Sequence, residues 1–168
     1  MTTAFPHLSP EEVRAHKGKS FTGISVTFMC HDGQGRFFMA QRGTAVRDEP
    51  GTWDVGGGGL HFGERTVDGA VREAQEEYGA QVLGEPTLLG FREVFRTSPD
   101  GTPTHWIAFD YLLRVDPDSM RLNETDTLSA GGWYTLNDLP SPRHSQMETV
   151  YWEKYHDRLR ELFSDSSQ

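Results

Sequence analysis

The chain has a single cysteine, Cys30, in 168 residues. No internal disulfide can form, and a reducing compartment is the default expectation. Basic residues are scarce too: 16 Lys and Arg stand against 25 Asp and Glu, a formal net charge of −9. That deficit argues against broad binding to nucleic acid or anionic membrane, which needs clustered positive charge. It leaves anionic substrates open, because metal ions can neutralise an acidic site. No stretch is apolar for long enough to span a bilayer. The start, MTTAFPHLSP, lacks the charged and apolar regions of a secretory signal. Internal repeats, low-complexity tracts and an interdomain linker are also missing. A single cytoplasmic domain, 1–168, with a sizeable core is the simplest expectation.

The patterns present read as interleaved strands and helices, which indicates an α/β or α+β sandwich. An N-terminal helical extension, 1–20, opens with SPEEVRAHKG. There Ser9 can cap, Pro10 suits the first turn and Glu12 completes a capping box. FTGISVTFMC alternates, with Ile24, Val26, Phe28 and Cys30 on one face. HDGQG is a turn and RFFMAQR a second strand, so a hairpin is expected. TLLGFREVFR and THWIAFDYLLRV read as two strands joined by a turn. Residues 116–130 show no period and are expected to be a mobile loop, followed by a short strand, GWYTL. A last helix, 145–163, places Met147, Val150, Tyr151, Tyr155, Leu159 and Leu162 along one side.

The chemistry concentrates in GGGGLHFGERTVDGAVREAQEEYGA. Its helix runs from about Thr66 to Tyr78, with Gly79 placed for a left-handed cap. At roughly 100° per residue, Val67, Ala70, Val71, Ala74 and Tyr78 form one stripe. Glu73, Glu76 and Glu77 cluster on another side, and no lysine stands at a matching position. Like charges one turn apart repel, so three such carboxylates call for cations, and hard divalent ions suit oxygen ligands. Glu64 can reach the same face, and Arg72 can orient a carboxylate through charge-assisted hydrogen bonds. The glycines allow close backbone approach. An ordinary solvated acidic face is the bland alternative.

The full pattern is Gly58, five residues, Glu64, seven residues, Arg72-Glu73-Ala74, one residue, Glu76-Glu77, one residue, Gly79-Ala80. It resembles the Nudix box of the MutT-like Nudix hydrolases at every invariant position. GTWDVGGG before it and GWYTLNDLP near the end extend the resemblance over most of the chain. The resemblance implies an α/β/α sandwich with a mixed β-sheet, the box forming a loop–helix–loop. It further implies hydrolysis of a nucleoside diphosphate derivative with Mg2+ or Mn2+. Carried onto this chain, Glu76 and Glu77 would be principal metal ligands, with the Gly57 carbonyl as a further one. Glu73 would be a ligand or the general base, held by Arg72, and Glu64 would act through the metal-water shell. Substrate contacts would come from Arg42, Gly58, Trp106 and Glu124.

Departures narrow this. Gly56 and His61 stand where relatives often have Pro and Glu, and Ala80 replaces a larger aliphatic. Many relatives carry another glutamate three residues before the late Trp; here Ala130 precedes Trp133, and Glu124 lies upstream. Trp106 could stack on a base, though a strand tryptophan is more often core. The proline of the ADP-ribose pyrophosphatase subgroup is absent, with Val94 and Phe95 near its place, and so is the NADH-pyrophosphatase tail. The candidate substrates are nucleoside triphosphates, oxidised nucleotides and nucleotide sugars. A nucleotide-sensing module without catalysis is the alternative, opposed by the intact glutamates. An isomerase of the isopentenyl diphosphate type is opposed by the surroundings of Cys30. The resemblance is compatible with a homodimer.

Overall fold

The computed structural model of the chain describes residues 8–46, 48–98, 100–148 and 153–164. Among them run α1 (Pro10–His16), β1 (Gly23–His31), β2 (Arg36–Arg42), β3 (Trp53–Asp54), β4 (Gly56–Gly59) and α2 (Thr66–Tyr78). β5 (Thr87–Thr97), β6 (Pro103–Arg114), β7 (Leu128–Thr135) and α3 (Glu153–Ser164) follow. The capping box of α1 forms: the Glu12 amide donates to Ser9 Oγ at 3.2 Å, and the Ser9 amide to Glu12 Oε2 at 2.7 Å. None of the described helices is long and apolar enough to cross a membrane.

The strands form one mixed sheet with a central path β3-β2-β1-β6-β5. β1 lies parallel to β6 along its length, from Gly23 opposite Trp106 to His31 opposite Arg114. A parallel pair needs a long crossover, and α2 lies within it. The expected hairpin of β1 and β2 closes only at its base, where His31 faces Phe37. Beyond that point Ser25–Phe28 of β1 pair instead with the glycine strand β4, while β2 pairs with β7 and β3. The glycine run takes the edge that a hairpin would have used.

α2 covers one face of the sheet. Ala70, Ala74 and Tyr78 pack on Val26, Phe28, Cys30, Phe38 and Leu113. Tyr78 meets Phe28 and Phe38 edge-on, at centroid separations of 5.6 and 5.1 Å. Such pairs add roughly 0.5–1.5 kcal/mol each beyond area burial. The helix ends at Gly79, whose φ of 60° is the left-handed cap. On the other face Met29, Phe37, Met39 and Leu112 meet Met147, Tyr155, Leu159 and Phe163. Leu162, expected inside, is 38% exposed, and Phe163 takes its place. The contact follows the i+4 ridge from Tyr155 through Leu159, which brings Phe163 over Phe37 at 6.4 Å. Val150 and Tyr151 lie outside the described residues.

Residues 116–130 are not a free loop. A 3₁₀ turn spans Pro117–Ser119, and β7 already begins at Leu128. Between them the Arg121 amide donates to the Tyr78 carbonyl and the Asn123 amide to the Glu77 carbonyl, each at 2.9 Å. These last-turn carbonyls of α2 need outside donors, and the loop supplies them. The segment lacks a period because it is ordered by another element's end rather than by its own pattern.

The four glycines answer to space, since none of them has a positive φ. A Cβ on Gly56 would stand 2.1 Å from the buried Phe28 ring, and one on Gly57 2.8 Å from the Val26 carbonyl oxygen. A Cβ on Gly58 would meet the Glu73 carboxyl carbon at 2.1 Å, but that side chain can swing away. Gly56→Ala should therefore cost the most, roughly 1–3 kcal/mol, and Gly58→Ala distinctly less. Thermal melts of the two variants check this, and a lower melting temperature for Gly58→Ala would contradict it.

Candidate active site

The site is organised by one guanidinium. Helical spacing sets Glu76 one turn beyond Arg72, and the turn at His61 folds Glu64 back beside both. Arg72 donates to both oxygens of Glu64, at 2.7 Å from Nε and 3.0 Å from Nη2. Its Nη1 donates to Glu73 at 2.9 Å and to Glu76 at 2.8 Å. Nη2 also reaches the Gly59 carbonyl at 3.3 Å, tying α2 to β4. The Glu64 carboxylate further accepts the His61 amide at 2.9 Å. The Arg72 hydrogen bonds, aided by that amide, hold the Glu64 carboxyl down at about 2. Glu64 is a fixed anion at any working pH.

Glu73 and Glu77 titrate in the other direction. Burial raises Glu73 despite the Arg72 contact. Glu77 is raised well above the ordinary range, first by burial and then by the charges of Glu73, Glu124 and Asp54. A hydrogen bond from the Gly57 amide opposes this shift. Glu77 Oε2 lies 2.8 Å from where a Gly56 Cβ would stand. Glycine thus lets both carboxylates lie against the backbone of β4. Lys17 reaches the same corner, donating to the Leu60 carbonyl, with Glu64 and Glu73 nearby in charge.

This donor set fits a hard divalent cation. It is all oxygen, it is crowded with like charge, and Glu77 is ionised there only at a cost that a cation would remove. The convergence itself is not prebuilt. Among the described residues, no three carboxylates, imidazoles or thiols stand at metal-holding distances. Arg72 keeps Glu73 and Glu76 turned to itself.

Gly56–Gly59 also line a cleft of about 320 Å3. Arg42, Gly58 and Trp106, picked out from the sequence, all face it. Trp106 is half-buried rather than core; Gly18 and Gly23 lie flat against its ring, where a Cβ would come within 2.4 Å. Glu124 is absent from the cleft lining. It is exposed near Glu73 and Glu77, and its carboxylate accepts the Thr127 hydroxyl at 3.0 Å. His61 is exposed, and the structure uses its amide.

Arg92, Arg96, Asp54 and Gln146, which no sequence motif singles out, also line the cleft. A signal existed for two of them: Arg92, Val94 and Arg96 alternate along the expected strand FREVFR, and so share a face. Arg92 donates to the fully buried Asp110 at 3.1 Å, to Gln146 at 2.8 Å and to Thr27 at 3.1 Å. Tyr155 also donates to Asp110, at 2.8 Å. No local pattern shows that Asp110 and Tyr155 meet.

The chain matches a known family and known structures. The family model described as the NUDIX domain matches residues 22–153. An 8-oxo-dGDP phosphatase, NUDT18 of Mus musculus, is 33% identical over 102 residues, covering 58% of this chain and 28% of that protein. The chain therefore spans under a third of that curated relative. A MutT NUDIX hydrolase from Burkholderia pseudomallei superposes with a TM-score of 0.65 at 27% identity, over 80% of this chain and 98% of its own. A MutT protein from Methanosarcina mazei Go1 shares the fold, with a TM-score of 0.59 at 21% identity over 88% and 96%.

The raised carboxyl of Glu77 carries a signed prediction. Its folded pKa lies above the unfolded value of about 4.3, so ionising it in the fold costs stability at higher pH. Glu77→Gln should melt higher than the parent in EDTA at pH 8, by roughly 1–2 kcal/mol. The gap should close as pH falls toward 4. A variant that melts lower at pH 8, or a gap independent of pH, would refute the assignment.

Proposed function

The chain belongs to the Nudix hydrolases, enzymes that generally hydrolyse nucleoside diphosphate derivatives, and on that premise we propose that it cleaves a pyrophosphate bond in such a derivative with Mg2+ or Mn2+. The observation that carries the proposal is the Arg72 hub, which gathers Glu64, Glu73 and Glu76 beside the charge-burdened Glu77. Glu76 and Glu77, with the Gly57 carbonyl, would hold the metal, and Glu73 would be a further ligand or the general base. A bound divalent ion would neutralise pyrophosphate oxygens and lower the pKa of a bound water.

The chain's own groups do the rest. Glu64 stays ionised and anchors the guanidinium, so Arg72 holds one orientation. Arg72 in turn aims Glu73, whose burial raises its proton affinity and suits it to accept the proton of the attacking water. The cleft places the substrate: Arg42 offers charge to a phosphate, the Gly58 backbone allows close approach, and the Trp106 ring offers a face to a base. Glu124 adds negative charge beside Glu73 and Glu77. The name of the murine relative directs attention to oxidised guanine nucleotides, alongside canonical nucleoside triphosphates and nucleotide sugars.

A panel of these substrates with Mg2+ and with Mn2+, products separated by chromatography, tests the proposal. Turnover of one class is expected, falling at least about a hundredfold in Glu77→Gln. Undiminished turnover in that variant would defeat the metal assignment. Tight binding without turnover by the parent would favour a sensor.

A further inference from the structure

A cation reaches the site from outside the stretch that matches the family, which begins at residue 22. Lys17 is the C-cap of α1, its amide donating to the Val13 carbonyl at 2.8 Å. The chain then turns at Gly18, whose φ of 78° favours glycine. The Gly18 amide donates to the Phe21 carbonyl, and its own carbonyl accepts the His105 amide, each at 2.8 Å. Gly18 also lies against Trp106, where a Cβ would stand 2.4 Å from the ring. The N-terminal segment is thereby fastened to β6, and the Lys17 side chain leaves it toward β4.

There the ammonium stands between the glutamates and the cleft. Lys17 Nζ donates to the Leu60 carbonyl. It lies 3.3 Å from where a Gly59 Cβ would be and 5.9 Å from the centre of the Trp106 ring. Gly59 and Trp106 both line the cleft. Burial lowers the proton affinity of the amine, and the charges of Glu64 and Glu73 on the other side oppose that shift. A side chain at 59 would press on the ammonium, so glycine keeps this place open to it. An ammonium carries three donors, and the Leu60 carbonyl takes one. No ion pair engages Lys17 among the described residues. The arginines of the cleft differ: Arg42 and Arg96 both pair with Asp48, and Arg92 pairs with the buried Asp110. Lys17 has donors to spare where they have carboxylates.

We infer that Lys17 is a substrate-contacting residue, its ammonium taking a phosphate oxygen in the stretch of ligand between the box glutamates and the cleft. The inference deepens the hydrolase reading and rests on it for the identity of that ligand as a substrate. A ligand that extends from Glu73, which lies over Gly58, to Trp106 runs past Gly59, where Lys17 stands. A compact ammonium with rotatable donors can follow the oxygens of a bent phosphate chain, which a rigid guanidinium fork does less well. The contact favours a ligand with two or more linked phosphates, one held at the glutamates and the next at Lys17. It belongs to this chain's N-terminal segment, since Lys17 precedes the family match.

The test is calorimetric titration of the whole protein with methylenediphosphonate and Mg2+; the P–C–P bridge of this probe resists hydrolysis. Lys17→Met keeps the aliphatic stem and removes the charge. It should weaken binding about tenfold, and added salt should then cost less affinity than it costs the parent. Thermal melts show whether the variant is folded, and Lys17→Gln serves if Lys17→Met is not. A role confined to tying the segment to Leu60 would lower the melting temperature and leave probe affinity and its salt dependence as in the parent. That result would overturn the inference, as would a parent that does not bind the probe. A weakened affinity with the parent's salt dependence would assign the loss to packing and overturn it too. The probe is not turned over, so a chain that bound it through Lys17 but failed the substrate panel would sink the hydrolase reading alone. Turnover in the panel, with Lys17→Met binding the probe like the parent, would sink this inference alone.

Discussion

Everything at the site depends on the Arg72 guanidinium. Carboxylates gathered on one helix face repel one another, and burial makes each charge dearer. Arg72 offsets that by binding Glu64 with two hydrogen bonds and Glu73 and Glu76 with one each. It does not reach Glu77, whose carboxyl is raised first by burial and then by the neighbouring carboxylates. One arginine thus divides four glutamates into three that it pairs and one that it does not reach. The division is electrostatic, and it follows from where a single planar donor can reach.

The glycine strand is the mechanical counterpart. β4 holds the edge of β1 that β2 would otherwise occupy, and its missing side chains make room for Phe28, Glu73 and Glu77. Core packing and site chemistry therefore meet on the same four residues. Substituting one of them presses on the aromatic core at Gly56 or on a site carboxylate at Gly58. Arginines line the cleft on the glycine strand, and glutamates line the helix face beside it.

The box was legible because its signal is local. Helical spacing alone puts Arg72, Glu73, Glu76 and Glu77 on one side of α2, and Gly79 marks its end. The capping box of α1 and the inward face of β1 were legible for the same reason: each is a repeat of a few residues. The segment 116–130 was misread because its order comes from the last carbonyls of α2, which its own residues do not advertise. Leu162 was misplaced because a helix drifts against its neighbour, and only the position of Phe37 decides which of two adjacent residues is covered.

By itself, then, the sequence determined the helix with its carboxylates, the glycine run, and the family to which they belong, since these follow from fixed spacings along the chain. The tertiary structure decided that the glycines form a strand, that Glu77 is buried beyond the reach of Arg72, and that Arg42 and Arg96 share Asp48. Those facts join residues tens of positions apart. They exist only once the sheet brings β2, β4 and β5 to one cleft, because contact and burial, unlike periodicity, are properties of the folded chain.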